Sequence, residues 1–390
     1  MGPSRRSAVP PFAVMDVLAA ANARRAAGAD VLVLCAGEPA TGAPADVRRR
    51  AAELAAADGL GYTEAVGIPA LREEIARHYG RWYDVEVDPR RIAVTTGSSG
   101  GFVLAFLAAF DPGDRVALAR PGYPAYRNIL RSLGCAVVEL DTGPEVRYQP
   151  TPELLAAAHA EAPLAGLVLA SPANPTGTMV SPAELTAIAD WCAEHGVRLV
   201  SDEIYHGISF AGIQAATAAD QVGAIAVSSF SKYWGMTGWR LGWLVLPDDL
   251  VDAVDALAGN LALCPPALAQ HAALEAFTPG SYAAGAAAVA TYAASRDLLL
   301  ARLGDLRWDP VAPADGAFYL YGDISATGLD AVTYRSRLLG EAGVALTPGT
   351  DFDGAAGHDW VRLSFAAEPG VVADAIERIV AWQDAATTRR

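Results

Sequence analysis

The sequence predicts an α/β fold, a mostly parallel sheet wrapped in helices, with a smaller α+β unit after it. Between about residues 90 and 246, short apolar runs alternate with stretches of helical periodicity. That is the pattern of strand–helix units around a buried parallel sheet. Hydrophobic residues make up 52% of the 390 and charged residues 19%, so the chain can bury a large core. Nearly every apolar run also ends in small or polar residues, and open α/β sheets bind ligands beyond the carboxyl ends of their strands.

Taken in order, a helix is expected over 14–27, packed against the C-terminal unit. Strands of the sheet are expected at 92–95, 115–119, 166–170, 197–201, 224–228 and 241–246. The clusters that end them are Gly97-Ser98-Ser99, Pro121-Gly122-Tyr123, Asn174-Pro175, Asp202 and the run from Ser229 to Lys232. Five polar clusters on one sheet edge point to one site. Residues 250–303 are rich in Ala and Leu and read as long helices. The remainder reads as a second unit, with strands at 316–321 and 360–365 and helices at 331–342 and 371–385. The expected division is a large domain over 45–290 and a small one from 1–44 and 291–390.

Composition excludes several classes. The net charge of −15 gives no general electrostatic reason to bind nucleic acid or an anionic membrane. No apolar run approaches the roughly 18 residues of a membrane helix. Arg5-Arg6 is not followed by a continuous apolar stretch, because Pro10, Pro11 and Asp16 interrupt it. A soluble, cytoplasmic protein is expected. Cys35, Cys135, Cys192 and Cys264 lie far apart, and with six scattered histidines they form neither zinc spacing nor a disulfide framework. No metal site is expected.

Of the 29 basic residues, 28 are arginine and one, Lys232, is lysine. Arginine stays protonated and forms no imine, whereas a desolvated lysine amine loses its proton and becomes a nucleophile. Lys232 lies in Ser-Ser-Phe-Ser-Lys-Tyr-Trp-Gly-Met-Thr-Gly-Trp-Arg, residues 228–240. An aldehyde cofactor bearing a phosphate needs that amine, hydroxyl donors such as Ser229 and Ser231, and a fixed cation such as Arg240. Thirty residues earlier, Val-Ser-Asp-Glu-Ile-Tyr places Asp202 at a strand end and Tyr205 three residues on. A carboxylate beside a pyridine nitrogen keeps it protonated, and a tyrosine hydroxyl tunes the ring's phenolic oxygen.

These ordered segments resemble the fold-type I pyridoxal-phosphate enzymes, specifically the class I/II aminotransferases of the aspartate aminotransferase superfamily, from about residue 30 to the C-terminus. The resemblance implies a three-layer sandwich around the mostly parallel sheet, plus the smaller α+β domain. It implies pyridoxal 5'-phosphate as cofactor and amino-acid metabolism as context. Thr96-Gly97-Ser98-Ser99-Gly100 resembles the phosphate-binding turn at a helix N-terminus. Tyr123 takes the place of the aromatic stacked on the pyridine ring, and Asn174 that of the asparagine on its phenolic oxygen. Asp202, Tyr205, Ser229, Ser231, Lys232 and Arg240 match in order. Arg362, in Trp-Val-Arg-Leu-Ser-Phe, resembles the clamp for the substrate α-carboxylate, with Gly37 and Asn174 beside it. Tyr62, in Gly61-Tyr62-Thr63, resembles the tyrosine that reaches the neighbouring subunit's phosphate, which implies a homodimer.

The implied reaction moves an amino group between an L-amino acid and a 2-oxo acid, with Lys232 as both imine former and proton carrier. Relatives acting on dicarboxylates supply a further cation, yet no Lys or Arg lies between Arg240 and Arg296. Arg120, Arg127 or an N-terminal arginine remains a candidate, while Trp234, Tyr319 and Phe12 are candidates for an apolar lining. The balance favours a neutral, bulky or aromatic substrate. Two alternatives share the scaffold: a carbon–sulfur β-lyase, and a cofactor-sensing regulator, for which no DNA-reading domain is seen.

Overall fold

The computed structural model describes residues 2–388 except 58, 211 and 214. Counted along these residues, the strands are β1 (Leu32–Val33), β2 (Ile92–Thr95), β3 (Arg115–Arg120), β4 (Ala136–Asp141), β5 (Gly166–Ala170) and β6 (Arg198–Asp202). They continue as β7 (Ile225–Ser229), β8 (Gly242–Val245), β9 (Tyr319–Asp323), β10 (Val344–Ala345), β11 (Thr347–Pro348) and β12 (Trp360–Ser364).

One seven-stranded sheet runs β2-β8-β7-β6-β5-β3-β4. All neighbours are parallel except β8, which is antiparallel to both β2 and β7. The central strands are buried along nearly their whole length, as a sheet covered on both faces requires. Six expected strands fall within a residue or two of these positions, and β4 is the one not foreseen. It is an edge strand carrying Glu139 and exposed at both ends, so it lacks the apolar run that marks a central strand.

The C-terminal unit holds an antiparallel sheet ordered β11-β12-β9. Beside it, the N-terminal segment forms a separate two-stranded sheet in which β1 pairs in parallel with β10, Leu32 opposite Val344. Helix Ala13–Ala26 packs there as expected, Val17 and Ala21 meeting Leu339 and Ala345. Helix Pro279–Ala301 is continuous and runs straight through residue 290.

The loop after β7 is held by aromatic packing. Phe230, Trp234, Trp243 and Phe277 share one buried cluster. Trp234 donates its indole N–H to Ala276 O at 2.8 Å, and Tyr233 donates to Tyr282 O at 2.9 Å. Lys232 sits beside these two anchored rings, so the backbone that carries it is fixed from one side. Trp234 is therefore a core residue and not the cavity wall that the sequence suggested.

Removing the Trp234 side chain opens a large hole in this cluster and leaves the Ala276 carbonyl unpaired. Trp234→Ala is expected to lose about 3–5 kcal/mol of stability in urea unfolding. A loss below about 1 kcal/mol would contradict the anchoring role.

Candidate active site

A cavity of about 260 Å³ opens where the carboxyl edge of the large sheet meets β9 and β12. Asp202 ends β6, and Ser231 and Lys232 follow β7. Ser98 and Ser99 lie in the first turn of helix Gly97–Ala109, and Tyr123 immediately precedes helix Pro124–Leu133. Asn174 and Tyr205 complete the large-sheet side, while Arg362 comes from β12 and Gly37 from the segment after β1. Each of these residues lines the cavity, as does Arg240.

Lys232 Nζ donates to Gly37 O at 2.5 Å and lies 5.6 Å from the Tyr205 ring centroid. Burial, and then the Arg362 charge, pull its pKa from 10.5 to about 8, with Asp202 opposing. A neutral, nucleophilic amine is thus accessible just above neutrality.

Asp202 is buried, and burial raises its carboxyl from 3.8 to about 6. That corresponds to about 3 kcal/mol against the charged form. Two donors oppose the rise: the Tyr126 hydroxyl on Oδ2, and Ile204 N–H on Oδ1 at 3.1 Å. Tyr126 is the site residue that sequence reasoning missed. The available signal was its place three residues after Tyr123 at a helix start, where such spacing shares a face.

At the helix Gly97–Ala109 end, backbone N–H groups, the hydroxyls of Ser98, Ser99 and Ser231, and the Arg240 guanidinium suit an anion. A Cβ on Gly97 would crowd that guanidinium, and the backbone there has a φ of +69°, a conformation that favours glycine. Ser229 lies behind this group. Its hydroxyl donates to Ser231 Oγ at 2.8 Å and accepts from Ser231 N–H at 3.0 Å, which fixes the neighbour. Gly100, further along the helix, does not line the cavity.

Arg362 is buried between the rings of Tyr319 and Phe352, 4.3 and 4.7 Å from their centroids. Nη1 donates to Asn174 Oδ1 at 2.8 Å and Nη2 to Cys35 O at 2.6 Å. Its Nε is buried without a partner, an unspent donor that suits a carboxylate.

Tyr62 is 85% exposed and lies off this chain's cavity. Arg120 pairs with Asp141 at 3.1 Å and Arg127 with Glu139 at 2.8 Å, and neither lines the cavity. Phe12 packs 6.0 Å from the Tyr123 ring, and Val14 and Tyr319 supply wall. No cluster of three or more metal-ligating side chains occurs among the described residues. No helix among them is long and apolar enough to cross a membrane.

The family model for aminotransferase class I and II matches residues 29–379. The valine–pyruvate aminotransferase of Mycobacterium tuberculosis is 52% identical over 379 residues, 97% of each chain. The aspartate/prephenate aminotransferase of Thermus thermophilus is 37% identical over 382 residues, again 97% of each. Among solved structures, an aminotransferase from Mycobacterium tuberculosis matches with a TM-score of 0.96 at 50% identity, over 99% of this chain and 100% of that one. The Thermus thermophilus aspartate aminotransferase with maleate matches at 0.90 and 36% identity, over 98% and 99%.

Because the chain has one lysine, its amine can be titrated chemically. In cofactor-free protein, the rate of acylation of the Lys232 peptide, read by mass spectrometry, is expected to rise with pH through a midpoint of about 8. A midpoint near the ordinary 10.5 would contradict the desolvated setting.

Proposed function

We propose a specificity and a mechanism from one premise: the chain belongs to the class I and II aminotransferases, and it is an enzyme of amino-group transfer between an amino acid and a 2-oxo acid. The donor we propose is a neutral amino acid with a branched aliphatic side chain, and the acceptor a small 2-oxo acid such as pyruvate. The observation that carries this is the cation inventory of the cavity. Among its lining residues the cations are Lys232, Arg240 and Arg362, and all three already have work. None is left for a side-chain carboxylate, while Val14, Tyr123 and Tyr319 offer apolar surface. The 52% identical relative is named for valine and pyruvate, which agrees.

The family is pyridoxal-phosphate-dependent, and the residues present fit that group. The phosphate end is supported by the Gly97 approach of Arg240 and the serine hydroxyls. The ring end is supported by Asp202, a buried carboxylate whose charge is costly without a cationic partner. When bound, the cofactor supplies an aldehyde for the amino group and a ring that withdraws electrons from the substrate Cα. In our reading Arg362 holds the substrate α-carboxylate and orients its Cα–H bond, helped by Asn174. Lys232 Nζ takes the Cα proton as general base, a step its lowered pKa favours. Tyr126 and Ile204 N–H favour the ionised form of Asp202, and Tyr123, in the cavity wall, would cover the ring face.

A homodimer is part of the proposal. Tyr62, with exposed Leu60, Leu261 and Leu263, suits a face covered by a second copy, and Tyr62 would act there in trans. We further assign 45–290 as the cofactor-binding domain, 1–44 with 291–390 as the smaller one, and a cytoplasmic, biosynthetic setting.

With pyruvate as acceptor, kcat/KM for valine is expected to exceed that for aspartate by at least about tenfold, since aspartate would bury an unpaired carboxylate. Preference for aspartate would overturn the specificity. Lys232→Arg is expected to abolish transfer, because it keeps the charge and loses the proton-accepting amine.

A further inference from the structure

Tyr319 enters the reading above only as apolar wall, yet it also contacts Tyr205 and Arg362 and packs against Gly37. It is 1% exposed, and it begins β9 opposite Ser364, two residues from Arg362 on β12. Its hydroxyl lies 2.7 Å from the Tyr205 hydroxyl. Its ring lies 4.3 Å below the Arg362 guanidinium. A Cβ on Gly37 would collide with its hydroxyl, so that glycine admits it.

We propose that Tyr319 is a positioning residue with two separable parts: its hydroxyl sets the direction in which Tyr205 donates, and its ring sets the seat of Arg362. The proposal rests on the amino-transfer reading above. Two hydroxyls at 2.7 Å share one hydrogen, and each phenol has only one to give. If Tyr319 donates to Tyr205, the Tyr205 proton is released to point at an acceptor in the cavity. If Tyr205 donates to Tyr319, that proton is spent. A phenolic oxygen of the bound cofactor selects the first arrangement, and Tyr319 then strengthens Tyr205 as a donor. Burial raises both phenols, so both keep their protons. The charged groups facing the pair are Arg362 and Asp202, with Lys232 over the Tyr205 ring.

The two parts are separated by Tyr319→Phe, which keeps the ring, and Tyr319→Leu, which removes it. The readouts are the pH midpoint of the visible band of the pyridoxal-phosphate-loaded protein, and the Kd of isovalerate, an unreactive carboxylate, read from that band. Tyr319→Phe is expected to raise the midpoint by about half a pH unit or more, because a weaker Tyr205 donor stabilises the phenolic oxygen less. Its isovalerate Kd should stay within about twofold, and that of Tyr319→Leu should rise about fivefold or more, as the ring beneath Arg362 is lost. In a Tyr205→Phe background, Tyr319→Phe should shift the midpoint no further, whereas a merely structural role would give additive shifts. An unchanged midpoint in Tyr319→Phe, or additive shifts, would overturn the hydroxyl's role. An unchanged Kd in Tyr319→Leu would overturn the ring's. Absence of any visible band in the wild type would instead overturn the amino-transfer reading, and this proposal with it.

Discussion

The structure turns on three charges brought together in one cavity: Lys232, Asp202 and Arg362. In water their interactions would be slight, but between buried walls Arg362 disfavours the charged form of Lys232, while Lys232 and Asp202 each favour the other's charged form. Arg362 helps drive the lysine pKa down to about 8, Asp202 opposes it, and burial holds Asp202 itself near 6. A fold that places these charges together bears a cost, and the rest of the molecule can be understood as what keeps them in place.

The cost is spread over both units. The large sheet contributes Asp202 from a strand end and Lys232 from a loop stitched to an aromatic cluster by Trp234 and Tyr233. The smaller sheet contributes Arg362, seated between two rings and bonded to Cys35 O of the N-terminal segment. Because β1 pairs with β10, that segment is tied to the chain just before the sheet that carries Arg362. Close approach matters at two glycines. Gly97 lets Arg240 reach a helix N-terminus, and Gly37 lets Tyr319 reach Tyr205 while its carbonyl accepts from Lys232.

Much of this was legible in the sequence. A sheet buried on both faces advertises its strands as apolar runs, and a carboxyl-edge site advertises itself as the polar clusters that end them. Lys232 stood out because it is the sole lysine. The edge strand β4 was illegible because its half-exposed face needs no apolar run. Trp234 was misread as cavity wall because sequence gives its nearness to Lys232 but not the direction of an indole that turns to Ala276 O. Tyr126 and Tyr319 were harder for a common reason. Their importance lies in hydroxyl contacts to residues 76 and 114 positions away, which only the folded chain brings together. The same holds for Arg120 and Arg127, whose carboxylate partners on or beyond β4 remove them from the cavity.

The most direct measurement is the visible absorption spectrum of the purified, pyridoxal-phosphate-loaded protein as valine is added with no oxo acid present. The account predicts that the band is converted stoichiometrically to the pyridoxamine form, that pyruvate restores it, and that Lys232→Arg shows neither change. A band that persists while ammonia accumulates, or the same conversion in Lys232→Arg, would contradict it.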